Sequence, residues 1–229
     1  MFGLRSKWQF IIVLFVVYQL ISYCLRTKQY SFQAKDFKAA AIKASSEANG
    51  LSAVGQFVSE MKRYRPMHTT KISSWVPLSL SSLQLNALFV STLITEYMVV
   101  LQAPVQTNGR VGLHWANSSC VVIQGSVNRV LDIANGGFKE SFKAGQSFRH
   151  GEFESCIYSL SEGTYLTCYG RGVIPVSAVS PILSAITNAD PVAIGKLILV
   201  YSKGLFDHYA EFAVSTFNYY SGKKSKQEL

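Results

Sequence analysis

Trp8 to Leu25 reads WQFIIVLFVVYQLISYCL, 18 residues without a charged side chain. Nothing else in the chain limits its fold as much, because a helix of this length rises ~27 Å at about 1.5 Å per residue, close to the hydrocarbon thickness of a bilayer. The run predicts one crossing with little tilt. Gln9, Gln19 and Ser22 sit toward its ends, and Trp8, Tyr18 and Tyr23 suit the two interfaces. Arg5 and Lys7, followed by the short apolar stretch Ile11 to Val17, also fit a secretory leader. The next residues, Tyr23, Cys24 and Leu25, are bulky and give no small-x-small cleavage site. The expectation is therefore a retained anchor over 8–25, with residues 1–7 as a short cytosolic N-terminus.

The rest of the chain must bury a core, since 48% of residues are hydrophobic and only 15% charged, the reverse of a disordered composition. Lys and Arg number 22 against 13 Asp and Glu, a net charge of +9 that on a soluble domain would raise nucleic-acid binding. Placement argues otherwise. Nine of the basic residues lie between Arg26 and Lys71, directly after the apolar run, and no stripe alternates Arg with stacking aromatics. The expected partner is a membrane and not nucleic acid. Flanking charge alone, Arg26, Lys28, Lys35 and Lys38 against Arg5 and Lys7, leans toward a cytosolic body. The terminal Lys226-Gln227-Glu228-Leu229 is a variant of the Lys-Asp-Glu-Leu retrieval signal, which is read in the lumen of the endoplasmic reticulum. Weighing the terminus more heavily, we expect an endoplasmic-reticulum membrane protein with a lumenal body and a basic tail over 221–229.

Along the body, 31–66 reads as a helical pair: Ala39 to Ala41, Ala44 and Ala48, a break at Asn49-Gly50, then Leu51, Val54, Val58 and Met61 at helical spacing with Pro66 as the stop. From Trp75 the period turns toward two. Short apolar runs, Leu83–Phe89, Tyr97–Leu101, Val111–Trp115, Val121–Ile123, Val130–Ile133 and Tyr165–Tyr169, alternate with Asn108-Gly109, Asn135-Gly136-Gly137, Ala144-Gly145 and Glu162-Gly163. This predicts a sandwich or barrel over 75–175. Over 176–220 two helices follow, Val176–Ile186 and Val192–Tyr220, the second too interrupted by Lys196 and Lys203 to cross a bilayer. It suits a helix lying in the membrane surface or one packed on the barrel. The fold class is mainly β with flanking helices.

Few motifs carry chemistry by themselves. Tyr169-Gly170-Arg171-Gly172 contains a G-x-G, but no phosphate-binding sequence follows it. Cys24, Cys120, Cys156 and Cys168 lack the short spacings of a zinc ribbon or a disulfide scaffold. His68, His114, His150 and His208 are widely spaced; a barrel could bring His114 and His150 together, yet without a carboxylate pattern no metal or cofactor is assigned.

Tyr169-Gly170-Arg171-Gly172-Val173-Ile174-Pro175, at the hinge from the last strand to the first C-terminal helix, resembles the signature of the fungal C-8 sterol isomerase and sigma non-opioid intracellular receptor family, in its receptor form. The likeness extends to Ser31-Phe32, Trp75-Val76, Glu96-Tyr97, Trp115-Ala116 and His150-Gly151 with Glu154. It implies a cupin-like β-barrel enclosing a cavity for a sterol or other lipid-like molecule, two membrane-adjacent C-terminal helices, and self-association into a homo-oligomer. It places Cys120, Cys168, Tyr97, Trp115, Tyr169 and Asn117 as ligand-binding candidates.

The departures bear on mechanism. Where the family carries two buried carboxylates, five residues after the Trp-Ala pair and immediately before Tyr-Gly-Arg-Gly, this chain has Cys120 and Cys168, and Asn117 stands where an acid is frequent. Moving a double bond in a sterol ring needs protonation at one carbon and deprotonation at another, work for buried carboxyl groups. A buried thiol resists ionisation and is a poor substitute. Two readings follow: a non-catalytic lipid-binding protein, or an isomerase with acid groups re-sited at Glu96, Glu154 or His150. The resemblance also implies that Cys120 and Cys168 face each other across the cavity, and since carboxylates reach farther than thiols, the pair is expected to stay unbridged.

Overall fold

The computed structural model describes residues 2–64, 74–112, 114–132 and 136–220, with residues 2–6 and 219 described by backbone alone. Pro66, His68, Ile133 to Asn135 and the tail with its Lys226–Leu229 terminus lie outside the described residues.

The chain forms two compact units that divide after Ser31. The first is α1 (Phe2–Thr27), whose apolar side chains, Ile11, Leu14, Phe15 and Leu20 among them, are exposed. Its segment Lys7–Thr27 is, among the described residues, the one helix long and apolar enough to cross a membrane. Arg26 stands in its last turn, and the Tyr30 hydroxyl donates to the Leu25 carbonyl at 2.6 Å.

The second unit opens with α2 (Ala34–Ala44) and α3 (Gly50–Tyr64). Ten strands follow: β1 (Val76–Leu80), β2 (Leu83–Thr92), β3 (Glu96–Ala103), β4 (Thr107–Arg110), β5 (Ala116–Gln124), β6 (Ser126–Leu131), β7 (Lys139–Lys143), β8 (Ser147–His150), β9 (Cys156–Leu160) and β10 (Thr164–Gly172). They make a six-stranded sheet in the order β1-β2-β3-β10-β5-β8 and a four-stranded sheet in the order β4-β9-β6-β7, with antiparallel pairings. Then come α4 (Ile174–Ser177), α5 (Val179–Thr187) and α6 (Pro191–Tyr220). Asp190 opens α6, its side chain accepting the Ala193 N–H at 2.9 Å ahead of Pro191 in the first turn.

The larger sheet is covered on both faces, which is why its strands read as nearly continuous apolar runs. On the outer face Phe37, Ala40, Ala41 and Ala44 of α2 and Ala53, Val54, Phe57 and Met61 of α3 pack on Met98, Val100, Val121 and Ile123. The small alanines let α2 approach closely, and the rings of Phe37 and Phe57 meet edge to face at 5.8 Å. Leu51, assigned inward by spacing, is exposed. The buried stripe instead begins at Gly50, where an added Cβ would stand 2.5 Å from the Tyr165 ring.

Other local expectations also change. Residues 111, 112, 114 and 115 are irregular, so the Val111–Trp115 strand is not formed and pairing starts at Ala116. Asn108-Gly109 is no turn but the middle of β4, where a Cβ on Gly109 would come within 2.8 Å of the Leu83 backbone nitrogen. Strands β1, β7, β8 and β9 escaped the apolar-run criterion; β7, KESFK, is a short edge strand with alternating exposure and one large apolar residue.

Candidate functional site

Alternation along the strands decides which side chains reach the interior. On β10, Leu166, Cys168 and Gly170 point inward and Tyr165, Tyr169 and Arg171 outward; on β3, Tyr97, Val99 and Leu101 point inward and Glu96, Met98 and Val100 outward. The inward residues of both sheets, closed over by α5 and α6, line a cavity of about 350 Å³. Its wall is apolar: Leu85, Val99, Phe148 and Leu166 come from strands and Ile182 and Leu197 from the helices. Among the described residues no Asp, Glu, Lys or Arg lines it.

Cys120 and Cys168 lie in that wall, and they are joined in a disulfide. The expectation of free thiols facing across a void is therefore corrected. The two are directly opposed on the neighbouring strands β5 and β10, with Cα atoms 4.1 Å apart. Side chains of such a close cross-strand pair point the same way and touch without needing the reach of a carboxylate. Cys24 and Cys156 are the free cysteines.

One end of the cavity is polar but uncharged. Tyr97 Oη lies 2.8 Å from Ser118 Oγ and 3.3 Å from His114 Nε2, and Ser118 Oγ lies 2.8 Å from the same His114 nitrogen. What surface Tyr97 shows faces the cavity, and burial pushes its phenol up to about 12, the Ser118 hydrogen bond opposing. Burial, helped by the nearby His150, pushes His114 down to about 4, so its ring is neutral. The two histidine rings stand 5.3 Å apart, the meeting the barrel was expected to permit. His150 is opposite Ser118 in the β5–β8 register.

His150, Glu154 and Cys156 place ligand-type atoms within 4.8 Å of one another. Each is already engaged: His150 Nδ1 with Tyr158 Oη at 3.0 Å, Glu154 with the Gly151 N–H, and Cys156 Sγ with His150 Nδ1 at 3.6 Å. The Arg129 guanidinium, 4.0 Å from Glu154, adds a positive charge that opposes a cation there. Of the three, only His150 lines the cavity.

The remaining candidates fall outside the cavity, the strand residues Tyr169, Glu96 and Asn117 by alternation. Tyr169, next to inward Cys168, turns outward, donates to Glu96 Oε2 at 2.8 Å and accepts from Arg171 Nε at 2.9 Å. Arg171 Nη2 donates to the Phe32 carbonyl at 2.8 Å. Burial raises the Tyr169 phenol above its ordinary range, and the Glu96 carboxylate adds to the rise. Glu96, buried, serves this outer strut and does not line the cavity. Asn117, beside inward Ser118, accepts from Arg149 Nε at 2.6 Å on the outside. Trp115 sits at the hinge, its backbone N–H donating to Ser177 Oγ at 3.0 Å and its ring on Phe153. Glu154 is at the outer end of the Arg129 cluster.

The Tyr169-Gly170-Arg171-Gly172 sequence thereby acquires a structural meaning. Its two odd positions build the outer strut that ties Glu96 to Phe32, and its glycines are slots. A Cβ on Gly170 would stand 2.1 Å from Tyr97 Cε1, and one on Gly172 2.3 Å from the Trp115 carbonyl. Glu96 and Phe32 belong to the outer strut, and Tyr97 to the inner slot at Gly170. Residues 8–212 match the family described as "ERG2 and Sigma1 receptor like protein". The chain belongs to that family.

Among relatives of this family member, the sigma non-opioid intracellular receptor 1 of Taricha granulosa is 27% identical over 165 residues, covering 71% of this chain and 73% of that one. The receptor of Danio rerio is 26% identical over 159 residues, 69% and 70% of the two chains, and that of Xenopus tropicalis 25% over 197 residues, 83% and 86%. An RmlC-like cupin from Shewanella frigidimarina is similar to 44% of the chain at 15% identity, covering 84% of its own length with a TM-score of 0.37, a likeness too low to argue from.

Sequence reasoning missed His114, Ser118, Thr92 and Tyr158 in the cavity wall. Ser118 was within reach: it is two residues from Cys120 and must share its face.

Proposed function

We propose that this family member is a sigma-receptor-like membrane protein whose cavity holds a neutral sterol or other lipid-like molecule without transforming it. The observation that carries the reading is the Cys120–Cys168 bridge in the cavity wall, at the positions where the resemblance puts the family's carboxylates. A disulfide cannot shuttle a proton, and it offers a protonated amine no counter-ion, whose uncompensated burial would cost several kcal/mol. Of the three candidates for re-sited acids, Glu96 and Glu154 lie outside the cavity. His150 alone lines it, and one neutral imidazole beside a disulfide is poorly suited to both proton steps of an isomerisation.

The setting is the endoplasmic-reticulum membrane, with α1 as a retained anchor, the body lumenal and the chain self-associating. Support for a membrane-adjacent C-terminus comes from the apolar residues that α5 and α6 expose, Leu183, Ile186, Leu199, Phe206, Phe212 and Phe217. The purified full-length protein should bind cholesterol and bind cationic amphiphilic amines poorly, while the Cys120→Asp, Cys168→Glu double variant gains amine affinity. Tight amine binding by the unaltered protein, or restoration of sterol isomerisation in a yeast strain lacking its C-8 isomerase, would overturn the reading.

A further inference from the structure

Asn117-Ser118-Ser119 is the one place in the chain where an Asn is followed by a residue other than Pro and then by Ser or Thr. In a body that enters the reticulum lumen, that triplet is the acceptor sequence for an N-linked oligosaccharide. A side chain sealed into a core cannot carry a bulky polar glycan, so the place of Asn117 in the fold decides whether the triplet can be used.

Strand alternation gives its direction. Ser118 lines the cavity, hence Asn117 and Ser119 stand on the outer face of β5. Farther along that face Val121 and Ile123 are sealed under α2 and α3. Asn117 and Ser119 are only half-buried, and their outward neighbours include Arg171, the register partner of Asn117 on β10, and the exposed Arg149 on β8. The sheet ends at β8, four residues long, so this part of the face lies one strand from the rim.

The hydrogen bonding leaves the reacting atom free. Arg149 Nε donates to Asn117 Oδ1 at 2.6 Å. A guanidinium only donates, so the amide oxygen must face it and the amide nitrogen must face away. Among the described residues Nδ2 has no hydrogen-bond partner, and it is not one of the buried unpaired atoms, so it meets solvent. A glycosylated Asn keeps Oδ1 and one N–H, and the Arg149 bond therefore survives the modification.

We propose that Asn117 carries an N-linked oligosaccharide, transferred from a lipid-pyrophosphate-linked donor by the oligosaccharyltransferase of the reticulum lumen. Nδ2 bonds to the anomeric carbon of the first sugar and the bond from that carbon to the pyrophosphate oxygen breaks. The lipid pyrophosphate leaves, and the amide gives one proton to solvent. The proposal rests on the reading of the body as lumenal and adds a covalent group on the side of the larger sheet away from the cavity. A position where the family frequently has an acid becomes an attachment point.

Translation of the full-length chain with sealed reticulum microsomes tests it. The unaltered protein should appear as a slower-migrating species that endoglycosidase H returns to the unmodified mobility. Asn117→Gln and Ser119→Ala should each abolish the shift, and Ser119→Thr, which keeps the required hydroxyl, should retain it. Peptide mass spectrometry after the digestion should find one residual N-acetylhexosamine on Asn117. A second acceptor separates the site from the topology: in the Asn117→Gln chain, Glu162→Asn completes an acceptor triplet with Gly163 and Thr164 at the exposed turn before β10. If that variant shifts while the unaltered protein does not, Asn117 is no site and the lumenal body stands. If neither shifts, the lumenal reading fails and the proposal with it. A shift that persists in Asn117→Gln alone would put the glycan elsewhere and overturn the assignment.

Discussion

Replacing Cys120 and Cys168 together by alanine removes a cross-link between residues 48 apart in sequence. In the chain-entropy account, closing a loop of that length lowers the entropy of the unfolded chain enough to stabilise the fold by ~4 kcal/mol at 25 °C. Because β5 and β10 hold the two positions as direct register partners, removing the bond leaves the native pairing in place, and the loss falls mainly on the unfolded side. At a urea dependence of about 2 kcal/mol per molar, that corresponds to a midpoint lower by ~2 M. Trp75 and Trp115, both in the body, report unfolding by fluorescence. A thiol reductant should carry the unaltered protein to the midpoint of the double variant and leave the variant where it is. Peptide mapping of protein alkylated before lysis should recover Cys120 and Cys168 as a linked pair and Cys156 as a labelled thiol. Recovery of both positions as free alkylated thiols, or a double variant with an unchanged midpoint that reductant does not affect, would refute the bridge.

Gly170→Ala places a methyl group 2.1 Å from the Tyr97 ring and 2.8 Å from Ser118 Oγ, so the ring must swing into the cavity. The expected loss is about 1–3 kcal/mol of stability, read by thermal unfolding, with weakened lipid binding. Acidification acts through His114, whose folded pKa of about 4 lies below its ordinary 6.5. Above pH 6.5 both states are neutral there; as pH falls, the unfolded chain takes the proton first, and up to ~3 kcal/mol of stability is lost by pH 4. His114→Gln should flatten that part of the urea-midpoint profile, and an unflattened profile would assign it elsewhere.

The division between what the sequence discloses and what it hides follows the physics of each signal. The apolar helix α1 is legible because eighteen uncharged residues have few alternatives, and α2, α3, α5 and α6 because helical periodicity repeats over several turns. Short strands are not: β7 has too few apolar residues, and β4 carries Asn108-Gly109, which reads as a turn until the crowding of Gly109 against Leu83 is seen. At the site, period-two alternation alone divides Cys168 from Tyr169, Tyr97 from Glu96 and Ser118 from Asn117. What no alternation supplies is the pairing of β5 with both β10 and β8, and that pairing sets Cys120 against Cys168 and Ser118 against His150.

The opposition of residues 120 and 168 also explains why the position tolerates so different a chemistry. Two carboxylates on directly paired residues of neighbouring strands, with Cα atoms at the 4.1 Å seen here, cannot both ionise cheaply in an apolar wall; they share a proton or take a cation between them. The site therefore favours an occupant that couples its two residues. A disulfide satisfies the same demand covalently and without charge. Among the described residues the rest of the wall carries no Asp, Glu, Lys or Arg, its polar members including the hydrogen-bonded Tyr97–His114–Ser118 group, Thr92, Tyr201 and the His150 ring beside Tyr158. A pair of acids here would bring charge into the wall, whereas the bridge brings none, and that difference is what the expected discrimination against cationic amines tests.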